Sequence, residues 1–62
     1  MKIVTRKQYL DHQKNGWVLT DTHQIVDGET YYAIEDYKTL KTFFIHRDDI
    51  SNLIDHRGIE FE

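Results

Sequence analysis

The side chains best suited to chemistry in this chain are four histidines, His12, His23, His46 and His56, and eleven carboxylates. A helix-borne zinc site needs two imidazoles on one face, as in H-E-x-x-H, or imidazoles joined to cysteine thiolates. No two of these histidines are four residues apart, and the chain has no cysteine. The spacing therefore predicts no metal site and calls for no cofactor. His46-Arg47-Asp48 spells the triplet of a kinase catalytic loop. The glycine-rich loop, strand lysine and D-F-G that make the triplet work are missing from these 62 residues. It reads instead as a helix start with Asp48 as cap. Asp48, Asp49 and Asp55 would need a concave pocket to act as acid and base, and a domain this small rarely encloses one. G-x-S-x-G and phosphate-cradling glycine motifs are absent as well. The expectation is a non-enzyme that acts by contact.

The elements that must carry such a contact can be read from capping and periodicity. Thr5 with Gln8 forms a capping box, so a helix is predicted over Arg6–Asn15, with Tyr9, Leu10 and Gln13 on one stripe and Gly16 as its left-handed stop. Trp17–Val26 reads as a strand. Asp27-Gly28 signals a two-residue hairpin, and Thr30–Asp36 returns. That loop pairs Val26 with Glu29, Ile25 with Thr30 and His23 with Tyr32. Trp17, Leu19, Ile25, Tyr32 and Ile34 then share the core face, and Tyr31 and Ala33 point away. Leu40–His46 is a third strand, apolar on both faces. A three-residue loop before it turns Leu40 and Phe44 inward, and a four-residue loop turns Phe43 and Ile45 inward. Ile50, Leu53 and Ile54 follow helical spacing, so a second helix is predicted over Asp48–Arg57, acids first and His56 and Arg57 last. Ile59–Glu62 alternates, as a short strand or a tail that packs Phe61 down.

The expected fold is therefore α+β over residues 1–62 as a single domain: helix, three-stranded antiparallel meander, second helix, and a short C-terminal strand or tail. The alternative is a small SH3-like β-barrel in which Asp48–Arg57 is only a turn. In outline the helical order resembles the double-stranded-RNA-binding module. Asp48 and Asp49 stand where that family begins its second helix with lysines, so its function is not carried over.

Composition narrows the partner. Apolar residues make up 39% and charged residues 31%, and no run of apolar residues is long enough to span a membrane. Met1 reads as a natural start, no secretory h-region follows it, and cysteine is absent, so a cytoplasmic protein is expected. The net charge of −3 gives no overall signature for nucleic acid. Residues 1–16 carry a local +3 and residues 17–37 a local −5.

Aromatic residues are in surplus. With Tyr32 inward, Tyr31 is outward, and one of Phe43 and Phe44 must join it. The predicted binding patch is Tyr31, Phe43, Phe44 and Tyr37 with the acids Glu29 and Glu35, ringed further by Asp21 and Asp36. Such a patch suits a protein partner, since aromatics anchor protein interfaces, and a homodimer is one form of it. Size and style suit an accessory or inhibitory factor of a phage or mobile element. The competing reading is a nucleic-acid binder that stacks bases on the sheet aromatics and meets phosphates with Lys2, Arg6, Lys7, Lys14, Lys38 and Lys41.

Overall fold

A computed structural model describes all 62 residues. The chain runs β1 (Ile3–Val4), α1 (Arg6–His12), β2 (Trp17–Val26), β3 (Glu29–Asp36) and β4 (Lys41–His46), with short 3₁₀ turns at Gln13–Asn15 and Arg47–Asp49. The sheet is mixed, in the order β1-β4-β3-β2. β1 lies parallel to β4, and the other neighbours are antiparallel.

The first helix starts and stops where its capping residues dictate. The Thr5 hydroxyl accepts the Gln8 amide at 3.2 Å, and Gln8 Oε1 accepts the Thr5 amide at 2.8 Å. Gly16 closes the following 3₁₀ turn at φ +102°, a conformation that suits glycine. Tyr9 alone anchors the helix in the core, and Leu10 of the predicted stripe is exposed.

The hairpin register follows from Asp27-Gly28. Both residues have positive φ, and Val26 pairs with Glu29, Ile25 with Thr30 and His23 with Tyr32. Further along, Thr20, Asp21 and Thr22 stand opposite Ala33 alone. This bulge bends β2 away from the core. The Thr20 hydroxyl steadies it by donating to the Ala33 carbonyl at 2.9 Å. Ile25 therefore lies beyond the packed region at 69% exposure. Its parity is the core's, but the bend removes it from the core.

Asp36 pairs with Lys41, so the β3–β4 turn holds four residues and Phe43 and Ile45 point inward. The core is Val4, Tyr9, Leu19, Ile34, Ile45 and Ile50, with Trp17, Tyr32, Phe43, Leu53 and Phe61 packed against it.

The expected order of helix, three-stranded meander and second helix is overturned in two places. Ile3 and Val4 form a fourth strand, placed against Phe44 and Ile45. Residues 48–57 are not a helix. After the Arg47–Asp49 turn the chain is extended or turning, and Asn52 takes φ +67°. The tail folds back on this segment: the Asn52 amide donates to the Phe61 carbonyl at 3.0 Å, and the Phe61 amide to the Leu53 carbonyl at 2.8 Å. Ile54 and Glu60 form a further bridge. The segment holds Asp, Ser, Asn and His, weak helix formers, in a stretch too short to be helical alone. Pairing with the tail satisfies its amides, and Phe61 packs edge-on against Tyr32, ring centres 4.9 Å apart. Without that helix, the outline shared with the double-stranded-RNA-binding module disappears.

Candidate functional site

All core residues lie on one face of the sheet, where α1 and the C-terminal segment cover it. The opposite face carries Val18 and Gln24 from β2, Tyr31, Ala33 and Glu35 from β3, Thr42, Phe44 and His46 from β4, and Ile3 from β1, since cross-strand partners share a side. None of them belongs to the core cluster. Val18, Tyr31 and Phe44 are half-buried, and Ile3 and Val26 are exposed. Ala33 sits among them at 2% exposure. The centre of this face is thus apolar and tightly packed.

Its polar groups are already engaged. Tyr31 meets the His46 ring edge-on at 5.3 Å. His46 Nδ1 accepts the Asp48 amide at 3.0 Å, which leaves Nε2 to donate to Glu29 Oε2 at 2.6 Å when the ring is neutral. Glu35 accepts the Thr42 hydroxyl at 3.0 Å.

Of the sequence-predicted patch, Tyr31, Phe44, Glu29 and Glu35 come together on this face. Phe43 does not. It points inward and stacks on Trp17 at 4.6 Å, and Trp17 stacks on His12 at 4.7 Å. Tyr37 stands apart in the β3–β4 turn. The other two acids are also elsewhere: Asp21 pairs with Arg57 at 3.3 Å, and Asp36 caps that turn.

The six cations serve several places. Arg6 donates to the Asp49 and Ser51 carbonyls at 3.2 and 2.8 Å, fastening α1 to the C-terminal segment. Lys7 bridges Asp11 at 2.9 Å. Lys2 lies over Phe43, 5.6 Å from the ring centre, and the Lys38 stem packs near Gly16. Lys41 opens β4 opposite Asp36 in the backbone register, and Lys14 is exposed. No three histidine or carboxylate side chains converge as a metal site.

The two phenylalanines give a direct test of the faces. Phe43→Ala is expected to cost about 2–3 kcal/mol of stability, and Phe44→Ala and Tyr31→Ala about 1 kcal/mol each. Urea titration of the three variants measures this, and the reverse order would mean that the sheet is inside out.

Two carboxylates that sequence reasoning took for rim or helix acids hold loops together. Asp36 Oδ1 accepts the Lys38 and Thr39 amides at 3.0 and 3.3 Å, and Oδ2 accepts Trp17 Nε1 at 3.1 Å. Asp55 is buried. It accepts the Arg57 and Ile59 amides at 2.8 and 3.0 Å and the Arg57 guanidinium at 3.0 and 2.7 Å. Desolvation works to raise both carboxyls. The hydrogen bonds outweigh it, from Thr39, Lys38 and Trp17 at Asp36 and from Arg57 and Ile59 at Asp55, and both stay below the usual carboxylate value.

A depressed pKa gives stability that is complete above the unfolded-state value and lost as pH falls through the folded one. The melting temperature should therefore hold from neutrality down to about pH 4 and fall below it. In Asp36→Asn and Asp55→Asn that acid slope should flatten relative to each variant's own neutral value. An unchanged slope in both would assign the acid loss to other carboxylates.

One open hollow of about 430 Å³ lies beside the start of β3, on the covered side of the sheet. Thr30, Tyr32, Arg47, Glu60, Phe61 and Glu62 line it around the buried Ile50. No helix is long and apolar enough to cross a membrane. Compared with protein-family models, curated proteins and solved structures, the chain matches none.

Proposed function

We propose that this protein works as a small binding module, an accessory or inhibitory factor that presents the outer face of its sheet to a protein partner. The observation that carries this reading is the half-buried Tyr31–Phe44 pair around Ala33, on the face that carries none of the core cluster. Contiguous apolar surface of this kind on a small protein is characteristic of an interaction site. Tyr and Phe on neighbouring rigid strands also lose little freedom on binding, which favours them as anchors.

Charge favours a protein over nucleic acid at this face. Its formal charges are Glu29 and Glu35, and the cations that could meet phosphates lie at the N-terminus, on α1 and the 3₁₀ turn after it, in the β3–β4 turn and at the start of β4. The free edge is a lesser candidate. On the β2 edge the Leu19 carbonyl already accepts the His56 amide at 2.8 Å.

Affinity capture with the tagged protein, with and without nuclease, tests the reading. A stoichiometric protein that survives nuclease, and is lost with Tyr31→Ala/Phe44→Ala, is the expected result. Recovery that collapses with nuclease would transfer the function to nucleic acid.

A further inference from the structure

The β3–β4 turn is held rigidly and carries side chains that the fold does not use. Asp36 fixes it from within, through the Lys38 and Thr39 amides and through its own carbonyl, which accepts the Leu40 amide at 2.7 Å. Leu40 closes the turn at φ +60°, in the left-handed region. Asp27 and Asn52 also have positive φ, but those residue types adopt it readily, and leucine does not. Leu40 is also 84% exposed, so burial does not offset the backbone strain. Tyr37 beside it is exposed too, and the exposed charges here are Lys38 and Lys41. A glycine or asparagine would close this turn with less strain.

The hollow at the other end of β3 is complementary. Tyr32 and Phe61, both half-buried, supply its apolar lining, and among its charged lining residues Glu60 and Glu62 outnumber Arg47. We infer that the Leu40 turn of one copy docks in the Tyr32–Phe61 hollow of a second copy, with Lys38 and Lys41 facing Glu60 and Glu62. Turn and hollow lie at opposite ends of β3, so a docked pair still has one free turn and one free hollow. The contact is head-to-tail and continues until a ring closes. One turn in one hollow buries less than the roughly 1,200 Å² of a standard interface, so the association is weak and concentration-dependent. It does not involve the outer face.

Sedimentation velocity on the intact protein, up to about 1 mM, should show a mean mass that rises without stopping at the dimer. Leu40→Asp and Glu60→Lys/Glu62→Lys should each stay monomeric, the first lacking the turn and the second the hollow. Mixed in equal amounts they should form dimers and nothing larger, because each supplies one intact surface. Leu40→Gly should lose association while its melting temperature rises by about 2–4 °C, as the strained φ is relieved. Tyr31→Ala/Phe44→Ala should associate like the parent, which separates this contact from the outer face. A monomer at every concentration, a dimer plateau indifferent to Leu40→Asp, or a lower melting temperature in Leu40→Gly would overturn the proposal. So would binding to anionic lipid vesicles through Leu40 without self-association, which would give the turn to a membrane surface.

Discussion

Ile34→Ala is expected to leave most of the chain unfolded at about 37 °C, whereas Ile25→Ala, one hairpin strand away, changes stability by less than about 0.5 kcal/mol. Ile34 is completely buried, opposite Leu19 on one side and Phe43 on the other. Truncation removes the transfer energy of its methyl and methylene groups and leaves a cavity, at a cost of about 3–4 kcal/mol. A core of this size supplies only about 3–5 kcal/mol in total, and the chain has no disulfide to add to it. Ile25 lies past the Thr20–Thr22 bulge and is mostly in water already. Urea denaturation followed by far-ultraviolet circular dichroism compares the two. Comparable losses at both positions would mean that β2 runs straight, with Ile25 in the core.

The second large effect concerns binding. Tyr31→Ala/Phe44→Ala should weaken a captured partner at least about 100-fold, since anchor residues at the centre of an interface are each worth about 2 kcal/mol or more. Folding should persist, because neither ring reaches the cluster of Val4, Tyr9, Leu19, Ile34, Ile45 and Ile50. Titration of the partner, read beside the melting temperature of the variant, separates the two effects. Equal affinity for parent and variant would remove the outer face as the site. Loss of affinity together with loss of fold would be resolved by Glu35→Lys. Glu35 is half-buried and accepts the hydroxyl of exposed Thr42, so this change should cost little stability and still weaken a partner seated on this face, by about 3- to 10-fold.

Much of the architecture was legible because it rests on local rules. The capping box at Thr5 and Gln8, the Gly16 stop and the Asp27-Gly28 hairpin each act within a few residues, and each stands where its chemistry places it. From that hairpin the pairing of Tyr31 with Gln24 follows by counting, and so does the outward direction of Tyr31. Phe44 could be placed only once the β3–β4 turn was known to hold four residues, since a one-residue change in loop length inverts β4. Asp36 settles that length by capping the turn, and a cap of this kind has no unique spacing in sequence.

The second helix shows the limit of periodicity. Ile50, Leu53 and Ile54 have helical spacing, but Ile50 is buried, Leu53 half-buried and Ile54 exposed. The contacts that decided the segment come from Phe61, Ile59 and Leu19, all distant or beyond a turn, and from Asp55 turned inward onto Arg57. β1 escaped for the same reason: two residues carry no period, and only the edge of β4 makes them a strand.

The sequence by itself thus determined the helix, the hairpin, its register next to the turn and the supply of surplus aromatics, all consequences of short-range sterics and hydrogen bonding. Tertiary structure alone decided that Ile25 lies outside the core, that residues 48–57 pair with the tail, and that Phe43 and Phe44 divide between two faces. Those outcomes depend on which distant backbone groups and side chains compete for the same space, and no local pattern encodes that competition.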